Sequence, residues 1–428
     1  MTRTDFDRFT LSNGLRVVLA PDTTSPVVGV SVHFDVGFRS EPEGRTGFAH
    51  LFEHLMFQGS ESLEKLAHFR HVQSAGGTFN GSTHPDYTDY FMVLPSAGLE
   101  RALFLEADRM RAPKLTEENL RNQIDVVKEE IRLNVLNRPF GGFPWILLPP
   151  VLYRTFPNAH NGYGDFTDLE NASLEDCAAF FDTYYAPANA VLTVTGDLDA
   201  AQVRSLVEKH FGDVPARPAP VRPSFAEPPP DGERRGEHAD PHAPLPALAV
   251  GYRLPDPVTD VEAYVANVVL AGVLADGAGS RLKQRLVHRE PLVTDVNAGC
   301  GLFGPFEARD PDTFTVTAMH SPAVSEDTVL GAVDEELEKV AASGPSEEEL
   351  AKVTARWVAS LHREHDRMVP RTLALGSFEL LHGDPALVYR LPDLIESVSP
   401  DAVAAAASLL RPESRAVLTV RPAGGEAS

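Results

Sequence analysis

The sequence predicts an α+β protein made of two homologous, sandwich-like domains, each an antiparallel-rich sheet with helices packed on it. Three observations carry this. The chain has 428 residues, more than a single hydrophobic core supports, since cores stop growing near about 250–300 residues. A stretch dense in proline, Pro215–Pro246, leaves a piece of ordinary domain size on either side. The two pieces also resemble each other. Ser173–Val194 (SLEDCAAFFDTYYAPANAVLTV) aligns without a gap to Ser399–Val420 (SPDAVAAAASLLRPESRAVLTV), and both end on Ala-Val-Leu-Thr-Val. A second match, in the same order, pairs Ala49–Phe57 with Ala266–Leu274. Internal duplication is the simplest source of two ordered matches. The expected division is a first domain over 1–215, an extended linker over 216–246 and a second domain over 247–428.

Each element follows from local pattern. Phe9–Ala20 reads as a hairpin turning at Asn13-Gly14. Val27–Val36 and Thr88–Leu94 read as strands, and Thr46–Gln58 as a helix. Glu117–Asn137 is a long helix stopped by Pro139. Ser173–Val194 is a helix, a proline loop and a buried strand; Ser399–Val420 repeats it. Leu248–Leu254 is the strand before the second-half helix. Strands followed by helices, without strict βαβ alternation, indicate α+β layers.

Composition narrows the function. Apolar residues make up 43% and charged residues 23%, which excludes a wholly disordered chain. The 61 acidic against 38 basic residues, a formal charge of −23, oppose nucleic acid and anionic membrane as partners. The longest apolar run, Val265–Ala275, is too short to span a bilayer. The N-terminal MTRTDFDRFTLSNG has no apolar signal region. Cys177 and Cys300 form no disulfide framework and are read as small buried hydrophobes. These features favour the cytoplasm. Few lysines against many Arg, Ala and Pro point to a high-GC bacterial source.

The chemistry centres on His50-Leu51-Phe52-Glu53-His54, inside the almost wholly apolar Gly47–Phe57. A helix that is apolar all round is buried. Three ionisable side chains on it are unfavourable unless something satisfies them, and a metal would. His50 and His54, at i and i+4, leave one face about a turn apart. Glu53 lies near that face and can act on water without being a ligand. The order H-x-x-E-H is the inverzincin motif. A catalytic zinc site needs a third protein ligand, usually a carboxylate. The Glu117–Asn137 helix offers several. Its apolar stripe is Leu120, Ile124, Val127, Ile131 and Val135. At about 100° per residue Glu129 falls nearly opposite that stripe, and Glu130 falls on its flank beside Gln123, Val126 and Asn134. Periodicity therefore favours Glu130 over the helix's other acids without excluding them. His362 and His365, in the charged run LHREHDR, read as a solvated face. His68 and His71 read as surface or partial core.

Together, His50-x-x-Glu53-His54 and a distal glutamate within NQIDVVKEE resemble the pitrilysin/insulinase metallopeptidases, above all their small bacterial members and the mitochondrial processing peptidases. The resemblance covers nearly the whole chain, including the duplication and the proline-rich segment. It implies one zinc ion per chain on His50, His54 and Glu130, with Glu53 as general base. The family often has a glutamate seven positions before the third ligand. Here Gln123 stands there, so the side chain behind the metal ligands would be an amide in place of a carboxylate. On its own Gly76–Thr83 reads as a Gly-rich turn entering a strand. The resemblance implies that Phe79, Asn80 and Gly81 belong to a strand that pairs with substrate backbone.

One family feature is absent. Active members usually carry in the second half an arginine and a tyrosine seven apart, after a Gly-Ser-Arg-Leu-like stretch. Gly279-Ser280-Arg281-Leu282 is present, yet the two places hold Val287 and Thr294. The zinc motif is not repeated either: the matching places are Asn267, Leu270 and Ala271. The resemblance therefore implies a peptidase acting on short or unfolded peptides inside a dimer chamber. The partner would be a homologous subunit that brings the Arg/Tyr pair, with a homodimer as the fallback. The competing expectations are a non-catalytic scaffold, like the core subunits of the respiratory bc complex, and a metal-binding regulatory subunit.

Overall fold

The computed structural model describes residues 6–423, so Met1–Asp5 of the N-terminal reading lie outside the described residues. The chain forms two compact units. Of the described residues, the first comprises those up to 129 together with 162–223 and 361–390, and the second 130–161, 224–360 and those from 391 onward.

The first unit is built on six strands: β1 (Asp7–Thr10), β2 (Arg16–Pro21), β3 (Val27–Phe34), β4 (Thr78–Thr83), β5 (Thr88–Pro95) and β6 (Ala190–Gly196). Their order is β1-β2-β6-β3-β5-β4, antiparallel except for the β2–β6 pair. The hairpin around Asn13-Gly14 forms as read, with Gly14 at φ 93°. β6 is buried at every position, which the run Ala-Val-Leu-Thr-Val dictates for a central strand covered on both faces. On one face lies the helix Met368–His382. Glycine permits its close approach: a Cβ at Gly376 would come within 2.4 Å of the His33 ring, and one at Gly29 within 2.2 Å of Thr372 Oγ1. The helices Phe48–Leu55 and Leu99–Arg111 also pack on this sheet.

The second unit repeats the plan on five strands: β7 (Arg234–Asp240), β8 (Ala247–Arg253), β9 (Val293–Cys300), β10 (Thr313–His320) and β11 (Ala416–Pro422). Their order is β7-β11-β8-β10-β9, again with one parallel pair, β7–β11. The helix Val261–Ala275 packs on β9 and on the helix Pro400–Leu409. Leu148, Leu152 and Tyr153 form a core cluster with Ala247, Ala249, Ala416, Leu418 and Val420. The repeat seen in sequence is a structural repeat. Ser173 caps Leu174–Tyr184, a 3-10 turn follows at Pro187–Asn189, and β6 comes next. Ser399 caps Pro400–Leu409, the turn is Pro412–Ser414, and β11 comes next.

The structure departs from the sequence reading in four places. Instead of a single cut at the proline-rich segment, the units exchange segments: 361–390 belongs to the first and 130–161 to the second. A sheet buried on both faces needs a second covering layer, and here the distant half of the chain supplies it. The expected linker is not structureless, because β7 pairs in parallel with β11 at the sheet edge. Its sequence, RRGEHAD, has no apolar run to betray it, as suits an edge strand. The long helix is α-helical over Glu117–Ile131 and then widens to π-helical turns over Arg132–Leu136. His365 is buried rather than solvated, and burial pushes its imidazole down to about 4. His68 is likewise buried, beside Phe57 and Phe79, while His71 is exposed. Both cysteines are free and buried, and burial pushes the Cys177 thiol up to about 12.

Candidate metal centre

The helix Phe48–Leu55 carries the motif. It begins at Gly47, whose φ of 83° favours glycine, and a Cβ there would meet Tyr163 O at 2.6 Å. No local side chain caps it. Instead the buried carboxylate of Glu41 accepts from the N–H groups of Gly47 (2.8 Å) and Ala49 (2.7 Å). An anion at a helix N-terminus satisfies orphan donors and meets the positive end of the helix dipole. Phe48, Leu51, Phe52 and Leu55 are buried, with Phe52 against Phe180 and Tyr185. His50 is buried too; His54 and Glu53 are half-buried. The two imidazoles stand edge to face at 4.9 Å, and the Tyr163 ring flanks His50 at 4.9 Å.

The helix Glu117–Ile131 supplies the distal acid. Leu120, Gln123, Ile124, Val127 and Ile131 are buried, Glu129 is exposed and Glu130 is half-buried; Val126, on the same flank as Glu130, is exposed, and Val135, on the apolar stripe, is half-buried. Asn119 holds this helix to the first: its amide donates to Gln58 O (3.3 Å) and Lys114 O (3.0 Å). The Lys114 N–H donates to Gly59 O at 2.9 Å. The hydrogen-bonded helix runs unbroken from Glu117 to Glu130. One ligand atom each from His50, His54 and Glu130 lies within 4.8 Å of the others. Two imidazoles and one carboxylate converging so closely are the donor set of a catalytic zinc site that keeps an open position, so the residues present fit the ion.

Glu53 stands outside that set. Its Oε2 accepts from Thr83 Oγ1 at 2.7 Å. Thr83 ends β4, the strand at the sheet edge. Alternation along β4 puts Phe79, Gly81 and Thr83 on the face toward the motif helix and leaves Asn80 exposed. Gln123 is buried about two helical turns before Glu130, and its amide donates to Asn122 Oδ1 at 2.9 Å. In the second unit Val287 lies in the π-helical segment Lys283–Arg289, and Thr294, on β9, donates to Met319 O at 3.1 Å. The sequence reading missed three residues that build the site. Thr83 was within the strand quoted but read only for its backbone. Asn119 and Glu41 act across loops and leave no periodic signal.

A duplicated α+β fold with an H-x-x-E-H helix in one copy alone defines a class of metallopeptidase-like proteins. Comparison with known proteins makes the assignment narrower. Residues 16–138 match the insulinase family (peptidase family M16), and residues 171–356 match the peptidase M16 inactive domain. The chain belongs to peptidase family M16. It is 30% identical over 375 residues to zinc protease PqqE of Helicobacter pylori, covering 83% of this chain and 80% of that one. The crystal structure of a protease from Helicobacter pylori superposes with a TM-score of 0.90 at 26% identity, covering 98% of this chain and all (100%) of that one. The mitochondrial-processing peptidase subunit beta of Lentinula edodes is 25% identical over 296 residues, covering 65% of this chain and 61% of that protein.

Proposed function

We propose that the chain is a zinc-dependent endopeptidase for short or unfolded peptides. The observation that carries this reading is the convergence of His50, His54 and Glu130 beside Glu53 and the edge strand β4. His50, His54 and Glu130 would hold one zinc ion. When bound, zinc supplies a Lewis acid for the scissile carbonyl and for water. Glu53 takes a proton from the attacking water and passes it to the leaving amine. The edge of β4 accepts an extended peptide as an added strand, with Asn80 bonding beside the scissile bond and Phe79 and Gly81 lining the strand. Main-chain pairing of this kind tolerates many sequences and demands an unfolded substrate.

The Arg/Tyr places hold Val287 and Thr294, so a homologous partner subunit supplies that pair in a heterodimer chamber, with a homodimer as the fallback. That one relative is named subunit beta of a processing peptidase supports such pairing. The cytoplasm remains the proposed location; among the described residues no helix is long and apolar enough to cross a membrane. The second reading, a non-catalytic scaffold subunit, is favoured by the missing pair. The test is hydrolysis of a quenched, unstructured peptide, with metal analysis, by this chain alone and with its nearest paralogue. One zinc per chain and activity only with the paralogue support the heterodimer. Bound zinc with no activity in either sample supports the scaffold.

A further inference from the structure

Glu53 and Thr83 are 30 residues apart and stand on different elements, yet the threonine hydroxyl meets the carboxylate at 2.7 Å. The strand is seated so that this bond can form. Phe79 anchors it among the rings of Phe57 (5.6 Å), Phe69 (4.6 Å) and His68 (5.7 Å). Two residues on, Gly81 is buried with no side chain of its own. A Cβ there would lie 3.0 Å from Glu53 Cγ and 3.3 Å from the Tyr90 ring. The bare Cα sets how closely the Glu53 stem approaches β4, and two residues further Thr83 meets its carboxylate. A glutamate has three side-chain torsions, and a free carboxylate samples several orientations. A hydroxyl donating to one oxygen selects among them.

We propose that Thr83 is a positioning residue for Glu53, tying the general base to the same strand whose edge takes the peptide. This rests on the reading of Glu53 as the base. The role needs the hydroxyl and not the methyl, so serine keeps it and valine, which matches threonine in shape, loses it. A hydrogen bond to a charged group is worth about tenfold to a hundredfold when it serves one geometry.

The experiment compares four full-length proteins, each with the paralogue wherever wild-type activity requires it: wild type, Thr83→Val, Thr83→Ser and Glu53→Gln. The probe is the quenched peptide, and zinc content and thermal midpoint are measured on each. The expected result is a kcat for Thr83→Val lower by about tenfold or more, with KM, zinc content and midpoint unchanged, and most of kcat restored in Thr83→Ser. A Thr83→Val protein that turns over like wild type while Glu53→Gln is inert overturns the role of Thr83 and leaves that of Glu53 standing. Equal losses in the valine and serine proteins, or loss of zinc or of thermal stability in Thr83→Val, make Thr83 a packing residue and overturn the proposal. An active Glu53→Gln protein overturns the reading beneath it.

Discussion

The helices Phe48–Leu55 and Val261–Ala275 occupy matching places in two copies of one sheet-and-helix plan, yet only the first presents chemistry. Where the first has His50, Glu53 and His54, the second has Asn267, Leu270 and Ala271, all buried. Leu270 is 0% exposed, and Asn267 turns its amide back onto its own helix, to Ala263 O at 2.9 Å. The caps differ as well. Asp260, next to its helix, accepts from Ala263 N–H at 3.4 Å, whereas the first helix draws on Glu41, which lies outside its first turn in the preceding loop. The second helix is core and is satisfied by core rules. The first keeps a buried histidine and a half-buried glutamate and histidine beside an edge strand. A shared scaffold thus carries the function in a few substituted side chains.

The largest expected effect separates the two helices by kind of damage. Glu53→Gln should lower kcat by about a thousandfold or more while zinc stays bound and the thermal midpoint hardly moves, since general base catalysis is worth about 10²–10⁴. His54→Ala should release the zinc as well, read directly by metal analysis. Leu270→Ala, at the place matching Glu53, should do the reverse: a loss of about 2–5 kcal/mol of stability from the cavity left behind, with zinc content intact. Zinc lost from the Leu270→Ala protein while it remains folded would break the division of labour argued above.

Much of this contrast was legible in the sequence. The ungapped repeat ending in Ala-Val-Leu-Thr-Val revealed the duplication because matched burial imposes matched residues. Periodicity separated Glu130 from Glu129 because helix geometry alone decides which faces inward. What the sequence hid was long-range. The exchange of 361–390 and 130–161 between units leaves no local mark, since a helix that covers one sheet reads like a helix that covers another. β7 escaped notice because an edge strand can be polar throughout. The Glu41 and Thr83 contacts depend on where a side chain reaches after folding, which no local pattern encodes.

Acid should separate the units on an intermediate scale. Four histidines of the first unit are held neutral mainly by burial: His33, pushed down to about 3, His84 and His365, each to about 4, and His68, well below its ordinary value. In the unfolded chain they titrate near about 6.5. Their neutral burial is therefore fully stable above that pH, and stability is lost as pH falls toward the folded values. The slope is about 1.4 kcal/mol per pH unit for each proton taken up on unfolding. Between pH 7 and pH 5, hydrogen exchange followed by mass spectrometry should show β3 and β6 opening before β8 and β11. The opposite order would place the acid-sensitive groups elsewhere.

The smallest effect tests the two copies where they are most alike. Ser173 and Ser399 cap matching helices, each accepting from the N–H three residues on, at 3.1 Å in both. Only Ser173 has a full capping box, because Asp176 returns a bond to the Ser173 N–H at 3.2 Å and accepts from its hydroxyl at 2.7 Å. In the second copy that place is Ala402, and Pro400 opens the helix without an N–H to satisfy. Serine to alanine at a cap loses about 0.5–2 kcal/mol. Ser173→Ala should therefore sit toward the upper part of that range and Ser399→Ala at its lower end, read as local exchange rates in the capped helices. Because the Ser173 hydroxyl, and then Arg45, hold the Asp176 carboxyl below its ordinary value, the excess at Ser173 should shrink as pH falls and that carboxylate takes up its proton. Equal losses at the two serines, unchanged by pH, would mean that the hydroxyl alone does the capping and that Asp176 adds nothing to it.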